Sequence, residues 1–220
     1  MKFRSVFDII GPVMVGPSSS HTAGAARIGL VARHLFQTQP EWADIHLYGS
    51  FAKTYQGHGT DVALVGGILG FDTDDPRIPD ALKMAEEKGM KVTFIEEKDD
   101  HDHPNTVRIR LGKGDDRMEL VGISIGGGKV EVKELDGFKL RLSGNHPAIL
   151  VVHNDRYGAI ASVAAALAEE EINIGHMEVS RKDKGKEALM VIEVDQNVST
   201  ELLKKIGSLS AIEKVTKIHD

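Results

Sequence analysis

The chain turns at Gly16-Pro17-Ser18-Ser19-Ser20-His21-Thr22 and then enters a helical stretch of unusually small side chains, Ala23 to Ala32. Serine and threonine favour helix starts because their side-chain oxygens accept hydrogen bonds from the free N–H groups of the first turn. The same N–H groups and the helix dipole favour a bound carboxylate or phosphate. An ordinary N-cap needs one hydroxyl, so four hydroxyls and an imidazole exceed that need. The stretch predicts a small-anion or amino-acid site, with a plain cap as the alternative.

The composition is that of a globular protein with a packed core. The 220 residues, 41% of them hydrophobic, are enough for one large domain or two ordinary ones. A net charge of −6, with the basic residues scattered along the chain, argues against a nucleic-acid partner. Met1 to Asp8 has no charged-then-apolar leader, and no apolar run is long enough to span a membrane. We therefore expect a cytoplasmic protein without a membrane span.

A second helix start, Gly57-His58-Gly59-Thr60-Asp61, carries a histidine between two glycines. Flanking glycines remove side-chain bulk and widen backbone freedom, which favours presentation of the imidazole to a ligand. Thr60 and Asp61 can cap the helix behind it. The residues alone leave two interpretations open. The loop is either an inert surface loop, or it faces one small ligand together with the first helix start.

Two further polar segments have simpler interpretations, and the sequence predicts no metal site in this chain. Asp99 to Asn105 gathers carboxylates and imidazoles that can bind a divalent metal, but without a rigid helical spacing a solvated acidic loop is favoured. Gly126 to Gly128 lacks the ending of a phosphate loop, which favours a tight hairpin. The chain contains no cysteine, which excludes disulfides, a cysteine nucleophile and a cysteine-held iron–sulfur cluster supplied by this chain.

The hydrophobic period changes along the chain and indicates two domains. From Lys91 to Leu142 the strands alternate or run apolar, which predicts a meander of mostly antiparallel strands. Ser143 to Pro147 is a polar joint suited to a linker. Beyond it the order is β-α-β-β-α-β, the split βαβ arrangement of ferredoxin-like domains. We predict an α+β protein with an α/β-meander domain over 1–146 and a ferredoxin-like domain over 147–220.

These motifs carry a resemblance to a known family over essentially the whole chain. Val13 to Gly24, with Gly49-Ser50-Phe51-Ala52 and Gly57 to Asp61, resembles the beta chain of the two-subunit, iron–sulfur-dependent bacterial L-serine dehydratase, or L-serine ammonia-lyase. The C-terminal unit is similar to an ACT domain, with Asn154 to Gly158 at its usual first turn and Tyr157 where many ACT domains have proline. The first domain also resembles the intervening domain of some long phosphoglycerate dehydrogenases.

The resemblance implies a lyase subunit that deaminates L-serine to pyruvate and ammonia in amino-acid degradation. It also implies a partner, the alpha chain, whose cysteines hold a [4Fe-4S] cluster, which accounts for the missing cysteines of this chain. The cluster would act as a Lewis acid on the substrate while a base removes the α-proton. We expect this chain to be inactive alone, to present the Ser-rich stretch on an exposed face, and to form a homodimer through its ACT domain.

The resemblance and the chemistry of the side chains assign the candidate site residues. Proton transfer or hydroxyl orientation falls to His21 and His58, because an imidazole titrates near neutrality. The predicted substrate-binding residues are Ser18, Ser19, Ser20, Thr22, Gly57, Gly59 and Thr60. The predicted effector-binding residues of the ACT domain are Asn154, Asp155, Gly158 and Asn173.

Two other functions are open on the sequence. One is a non-catalytic, serine-sensing regulatory protein that uses its ACT and N-terminal domains without chemistry. The other is a hydrolase with a serine and a histidine of this chain. Ser20 and His21 are adjacent, and neighbouring side chains at a helix start are expected to point apart, which argues against a nucleophile–base pair. The sequence has no Gly-x-Ser-x-Gly elbow either.

Overall fold

The computed structural model describes residues 12–99, 101–143 and 147–218. It has a mixed α/β architecture with two sheets, which confirms the predicted fold class. The chain divides into two compact units, Met1–Lys133 and Glu134–Asp220. Within the described ranges, no helix is long and apolar enough to cross a membrane.

The first unit contains a sheet in the order β2-β1-β3-β4-β5 and the helices that connect its first strands. A π-helical turn, Ser19–Ala23, leads directly into the first α-helix. The helices are α1 (Gly24–Phe36), α2 (Gly49–Thr54), α3 (Thr60–Ile68) and α4 (Ala81–Glu87). The strands are β1 (Trp42–Leu47), β2 (Lys91–Glu96), β3 (Thr106–Lys113), β4 (Asp116–Gly126) and β5 (Lys129–Leu135).

The predicted meander is correct from β3 onward but wrong for β2. Strand β1 lies between β2 and β3, parallel to β2 and antiparallel to β3. A parallel pair needs a long crossover, and the chain from α2 to α4 supplies it. The predicted hairpin at the triple glycine is present between β4 and β5, where Gly127 and Gly128 both have positive φ.

Helices α1 and α3 pack with their backbones in close approach. A Cβ atom added at Gly29 would lie 2.2 Å from the carbonyl oxygen of Leu64. A Cβ atom added at Gly67 would lie 2.0 Å from the carbonyl oxygen of Ala26. The small side chains of the first helical stretch therefore serve this contact, which joins Ala26 and Gly29 of α1 to Leu64 and Gly67 of α3.

The second unit has the predicted β-α-β-β-α-β order, preceded by one further strand, β6 (Phe138–Leu142). Its elements are β7 (Ala148–Asn154), α5 (Ala159–Glu169), β8 (Ile174–Arg181), β9 (Glu187–Val194), α6 (Thr200–Gly207) and β10 (Ile212–Ile218). The strands form an antiparallel sheet in the order β10-β7-β9-β8. Apolar side chains of the sheet, among them Val151 and Ile192, pack with Val163 and Leu167 of α5 in one core.

The division between the units comes earlier than the predicted domain boundary. Strand β6 contacts β8 and β9, so the contacts assign it to the second unit. The predicted boundary at residue 146 and the linker residues 144–146 lie outside the described residues. That boundary stays a prediction.

Candidate active site

The first helix start is capped in the ordinary way by Ser18. Its backbone is extended, and its Oγ accepts a hydrogen bond from the backbone N–H of His21 at 3.1 Å. The plain cap that the sequence offered as an alternative therefore accounts for one hydroxyl of the stretch. The hydroxyls of Ser19 and Ser20 are not used in this way.

The expectation that Ser20 and His21 point apart is wrong. The Nδ1 atom of His21 lies 3.3 Å from Oγ of Ser20 and 3.4 Å from Oγ of Ser18. The imidazole therefore lies against the hydroxyls of its own π-helical turn. A serine and a histidine are thus in contact, but no carboxylate among the described residues contacts His21 to orient it as a hydrolase triad requires.

The other ring nitrogen of His21 contacts a residue that the sequence did not assign to the site. Nε2 of His21 lies 2.8 Å from Oγ of Ser50, which stands at the start of α2 directly after β1. The edge of the His21 ring packs against the Phe51 ring, with centroids 5.4 Å apart. The only signal in the sequence was that both residues belong to the Gly49-Ser50-Phe51-Ala52 element.

The two predicted catalytic histidines come together. The ring centroids of His21 and His58 are 5.0 Å apart, and the hydroxyl of Thr22 donates a hydrogen bond to the backbone carbonyl of His58 at 3.0 Å. Nδ1 of His58 is buried and has no hydrogen-bond partner among the described residues. Of the two interpretations of the Gly57–Asp61 loop, the geometry favours a loop that faces the first helix start.

The environment of His21 disfavours its charged form. Burial lowers the pKa of the His21 imidazole from its ordinary value of 6.5, and the neighbouring His58 lowers it further. The neutral imidazole is therefore the main form at pH 7. A neutral ring between three hydroxyls can accept or donate a hydrogen bond at either nitrogen, depending on its tautomer.

The remaining predicted substrate-binding residues differ in exposure. Ser19 is half-buried, and its hydroxyl has no partner among the described residues. Gly57 is exposed, and Gly59 begins α3 with a positive φ of 66°. Thr60 is 0% exposed, and its Oγ1 has no partner in the described part of the chain.

The expected exposure of the Ser-rich stretch holds only in part. Gly16 and Pro17 are exposed, Ser18 to His21 are half-buried, and Thr22 is 2% exposed. Thr22 is buried because its side chain packs against Gly16, where an added Cβ atom would lie 2.4 Å from the Thr22 methyl group. Thr22 is therefore closed to a ligand, whereas residues 16–21 are at least partly open.

The predicted effector residues of the second unit do not form one cluster. Asp155 and Gly158 line a cavity of about 620 Å³ beside the first turn, together with Tyr157 and Arg181. The Asp155 carboxylate accepts hydrogen bonds from the Gly185 N–H at 2.8 Å and from Arg181 at 3.1 Å, and these interactions lower the pKa of Asp155.

The other two predicted effector residues lie outside this cavity. Asn154 ends β7 opposite Glu187, the first residue of β9. Asn173 precedes β8 and donates a hydrogen bond to Asp195, just beyond the last residue of β9. Asn173 is therefore at the opposite end of the sheet from Asp155 within one chain, so grouping it with Asp155 and Gly158 is wrong for a single copy.

The residues of this chain do not fit an iron–sulfur cluster. The sequence contains no cysteine. Among the described residues, no group of three or more histidine, aspartate or glutamate side chains is placed to hold a metal ion.

Comparisons with known proteins agree with the two units. Residues 5–88 match the family model described as serine dehydratase beta chain, and residues 148–211 match the ACT domain model. The chain is 61% identical to the probable L-serine dehydratase beta chain of Bacillus subtilis over 100% of both chains. It is 36% identical to the L-serine dehydratase beta chain of Peptoniphilus asaccharolyticus, covering 96% of this chain and 95% of that one.

A weaker similarity connects the chain with another class of enzyme. It is 27% identical to the D-3-phosphoglycerate dehydrogenase of Methanocaldococcus jannaschii over 60% of this chain and 25% of that protein. This agrees with the resemblance of the first domain to a region of phosphoglycerate dehydrogenases. The relatives that the chain matches over its full length decide the assignment: the chain belongs to the family of L-serine dehydratase beta chains and carries a C-terminal ACT domain.

Proposed function

We propose that this chain is the beta subunit of an L-serine dehydratase, which converts L-serine to pyruvate and ammonia together with an alpha chain. The observation that supports it most directly is a cluster of three serine hydroxyls and two imidazoles at three neighbouring helix starts. We call it the hydroxyl–imidazole cluster, and its members are Ser18, Ser20, His21, Ser50 and His58. Two relatives covered over nearly their full length are named L-serine dehydratase beta chains.

The substrate carboxylate is proposed to bind at the start of the first helix. The backbone N–H groups of Ser19 and Ser20 open the π-helical turn and have no hydrogen-bond partner among the described residues. Free N–H groups at a helix start favour an anion. The Ser19 hydroxyl adds a third donor beside them. This arrangement supports the proposed substrate role of the Ser-rich stretch.

The two histidines are proposed to have different roles. Both ring nitrogens of His21 contact serine hydroxyls, so His21 orients the cluster and the substrate hydroxyl group. Nδ1 of His58 has no hydrogen-bond partner among the described residues, so serine hydroxyls do not hold this nitrogen as they hold the ring of His21. We therefore assign removal of the α-proton of serine to His58. Loss of the β-hydroxyl then gives aminoacrylate, which tautomerises and is hydrolysed to pyruvate and ammonia.

The cofactor implied by the family, a [4Fe-4S] cluster, is proposed to be held by cysteines of the alpha chain. Hydroxide is a poor leaving group, and such a cluster supplies Lewis-acid polarisation of the substrate oxygens. Since this chain contains no cysteine, its contribution is to bind and orient serine and to move the α-proton. The complex is proposed to work in the cytoplasm.

The ACT unit is proposed to bind an effector and to mediate a homodimer. The cavity beside Asp155 and Gly158 supports the effector site. Strand β8 is an edge of the second sheet and supports pairing with a second copy.

Co-purification with the alpha chain in the absence of oxygen tests the function. The complex is expected to form pyruvate from L-serine, whereas this chain alone and the alpha chain alone form none. The alternative function is a serine-sensing regulator. Binding of L-serine by a cluster-loaded complex that forms no pyruvate would favour the regulator and contradict the proposed enzyme.

A further inference from the structure

We infer that the segment His103–Thr106 is a positioning element that holds Ser50 within hydrogen-bonding distance of His21. The sequence alone favours a solvated loop for this part of the chain. The structure instead places it behind the hydroxyl–imidazole cluster, in contact with the start of α2. The expected effect of the segment on serine turnover rests on the proposed function. Its effects on Ser50 and His21 do not.

The main contact is a carbonyl that caps α2. The carbonyl oxygen of Pro104 accepts hydrogen bonds from the N–H groups of Ser50 at 2.7 Å and Phe51 at 3.4 Å. Gly49 allows this approach because an added Cβ atom would lie 2.7 Å from the same oxygen, and because its φ of 53° favours glycine. The Ser50 backbone is thereby fixed at the residue whose hydroxyl contacts His21.

The segment is held in shape by its own hydrogen bonds. The buried hydroxyl of Thr106 donates to the carbonyl oxygen of His103 at 2.6 Å. The N–H of Asn105 donates to Nδ1 of His103 at 3.1 Å. Burial and then Lys133 lower the pKa of His103, which favours the neutral ring whose Nδ1 can accept. His103 therefore sets the turn that aims the Pro104 carbonyl at Ser50.

A second anchor connects the segment to the first helix start. The N–H of Ser124 donates to the carbonyl oxygen of Asn105 at 3.0 Å. Ser124 lies directly under Gly24, where an added Cβ atom would lie 2.1 Å from Oγ of Ser124. The segment thus supports α2 directly and α1 through Ser124. A shift of the segment would change the His21–Ser50 separation, and hydrogen bonds weaken steeply with distance and angle.

The test compares His103→Leu, which removes the acceptor at Nδ1, with His103→Asn, whose side-chain oxygen can replace it. Asp102→Asn is the control, since Asp102 is exposed and adjacent. On the full chain, amide hydrogen exchange of Ser50 and the NMR titration of the His21 ring are measured. In the complex with the alpha chain, the pH profile of serine turnover is measured.

His103→Leu is expected to speed exchange at the Ser50 amide by about tenfold or more, because the Asn105 N–H loses its acceptor and the turn no longer holds the Pro104 carbonyl against the Ser50 N–H. It is also expected to shift the titration midpoint of His21 and the pH profile of turnover. His103→Asn and Asp102→Asn are expected to behave like the unchanged chain. If His103→Leu does not fold, the same measurements are made on Thr106→Val, which removes the hydroxyl that bonds to the His103 carbonyl, and on Thr106→Ser, which keeps it.

Unchanged Ser50 exchange and His21 titration in a folded His103→Leu or Thr106→Val variant would overturn the inference. Exchange and titration are measured on this chain alone. A wild-type complex without turnover would therefore count against the proposed function. The exchange and titration measurements would still test the role of the segment.

Discussion

Nε2 of His21 lies 2.8 Å from Oγ of Ser50, a residue 29 positions away in the sequence. His21 belongs to the π-helical turn before α1, and Ser50 to the first turn of α2 after β1. The contact fastens the two helix starts to each other beside His58. It gives His21 a hydroxyl partner at each ring nitrogen, so the ring has a fixed orientation in which one nitrogen faces each helix start.

Ser50→Ala is expected to lower serine turnover by the complex about fivefold, since a hydrogen bond of this kind contributes about 1 kcal/mol. The loss arises because Nε2 of His21 no longer has a hydroxyl partner, so only the contacts of Nδ1 orient the ring. Ser50→Thr keeps the hydroxyl and is the matched control, with turnover near that of the unchanged complex. Equal turnover for the alanine and threonine variants would contradict a role for the hydroxyl.

His58→Ala is expected to lower turnover at least about a hundredfold, because general base catalysis contributes about 10²–10⁴-fold. The fold should persist, since Thr22 bonds to the backbone carbonyl of residue 58 and not to its ring. His176→Ala, an exposed histidine on β8, is the control. Near-normal turnover of His58→Ala with a fully loaded cluster would remove His58 from the mechanism.

Local sequence patterns predicted where helices and strands lie better than they predicted which strands are neighbours in a sheet. The helical stretch after the Ser-rich turn and the β-α-β-β-α-β order of the second unit are both present. A period of two identifies a strand but not its neighbour in the sheet, so the insertion of β1 between β2 and β3 left no local signal. Pairing between strands depends on the crossover through α2 to α4, which periodicity does not describe.

The site shows the same limit. The motifs left open whether the His58 loop is inert or faces one ligand together with the first helix start, and the structure brings the rings of His21 and His58 together. Ser50 was not predicted because its contact with His21 depends on how β1 and the segment His103–Thr106 place α2. Asn173 and Asp155, both predicted effector-binding residues, lie near opposite ends of β9 within one chain, a separation that follows from strand pairing and not from local sequence.

The stability of the chain is expected to fall as the pH drops below 6.5, the ordinary pKa of histidine. Burial and then His58 lower the pKa of His21 in the folded chain, so the unfolded chain binds more protons below this pH. This contribution is complete above 6.5 and is lost as the pH falls towards the folded pKa. His103 acts in the same direction.

The measurement is the free energy of unfolding in urea at a series of pH values from about 7.5 to about 5, above the range in which carboxylates titrate. His21→Gln is expected to make the free energy of unfolding depend less on pH, because the variant lacks the imidazole that takes up a proton more readily in the unfolded chain. His176→Gln, at an exposed position on β8, is measured alongside as the control. A His21→Gln variant with the slope of the unchanged chain would show that His21 has the same pKa in both states.

The neighbouring glycines Gly66 and Gly67 of α3 have different surroundings. A Cβ atom at Gly67 would lie 2.0 Å from the Ala26 carbonyl oxygen and 2.6 Å from the Leu30 nitrogen, both backbone atoms of α1. Gly67→Ala should therefore push the helices apart and lower the free energy of unfolding by roughly 1–3 kcal/mol or more. Because His21 precedes α1 and His58 precedes α3, a change in the packing of the two helices should lower turnover as well.

Gly66→Ala is the matched control one position earlier. Its added Cβ atom would lie 3.2 Å from a side-chain atom of Ile78, which can move, and alanine is a better helix former by about 1 kcal/mol. The free energy of unfolding should therefore change by less than about 1 kcal/mol. Urea denaturation gives the free energy of unfolding of both variants. Equal destabilisation by Gly66→Ala and Gly67→Ala would mean that the α1–α3 backbone contact does not limit the size of residue 67.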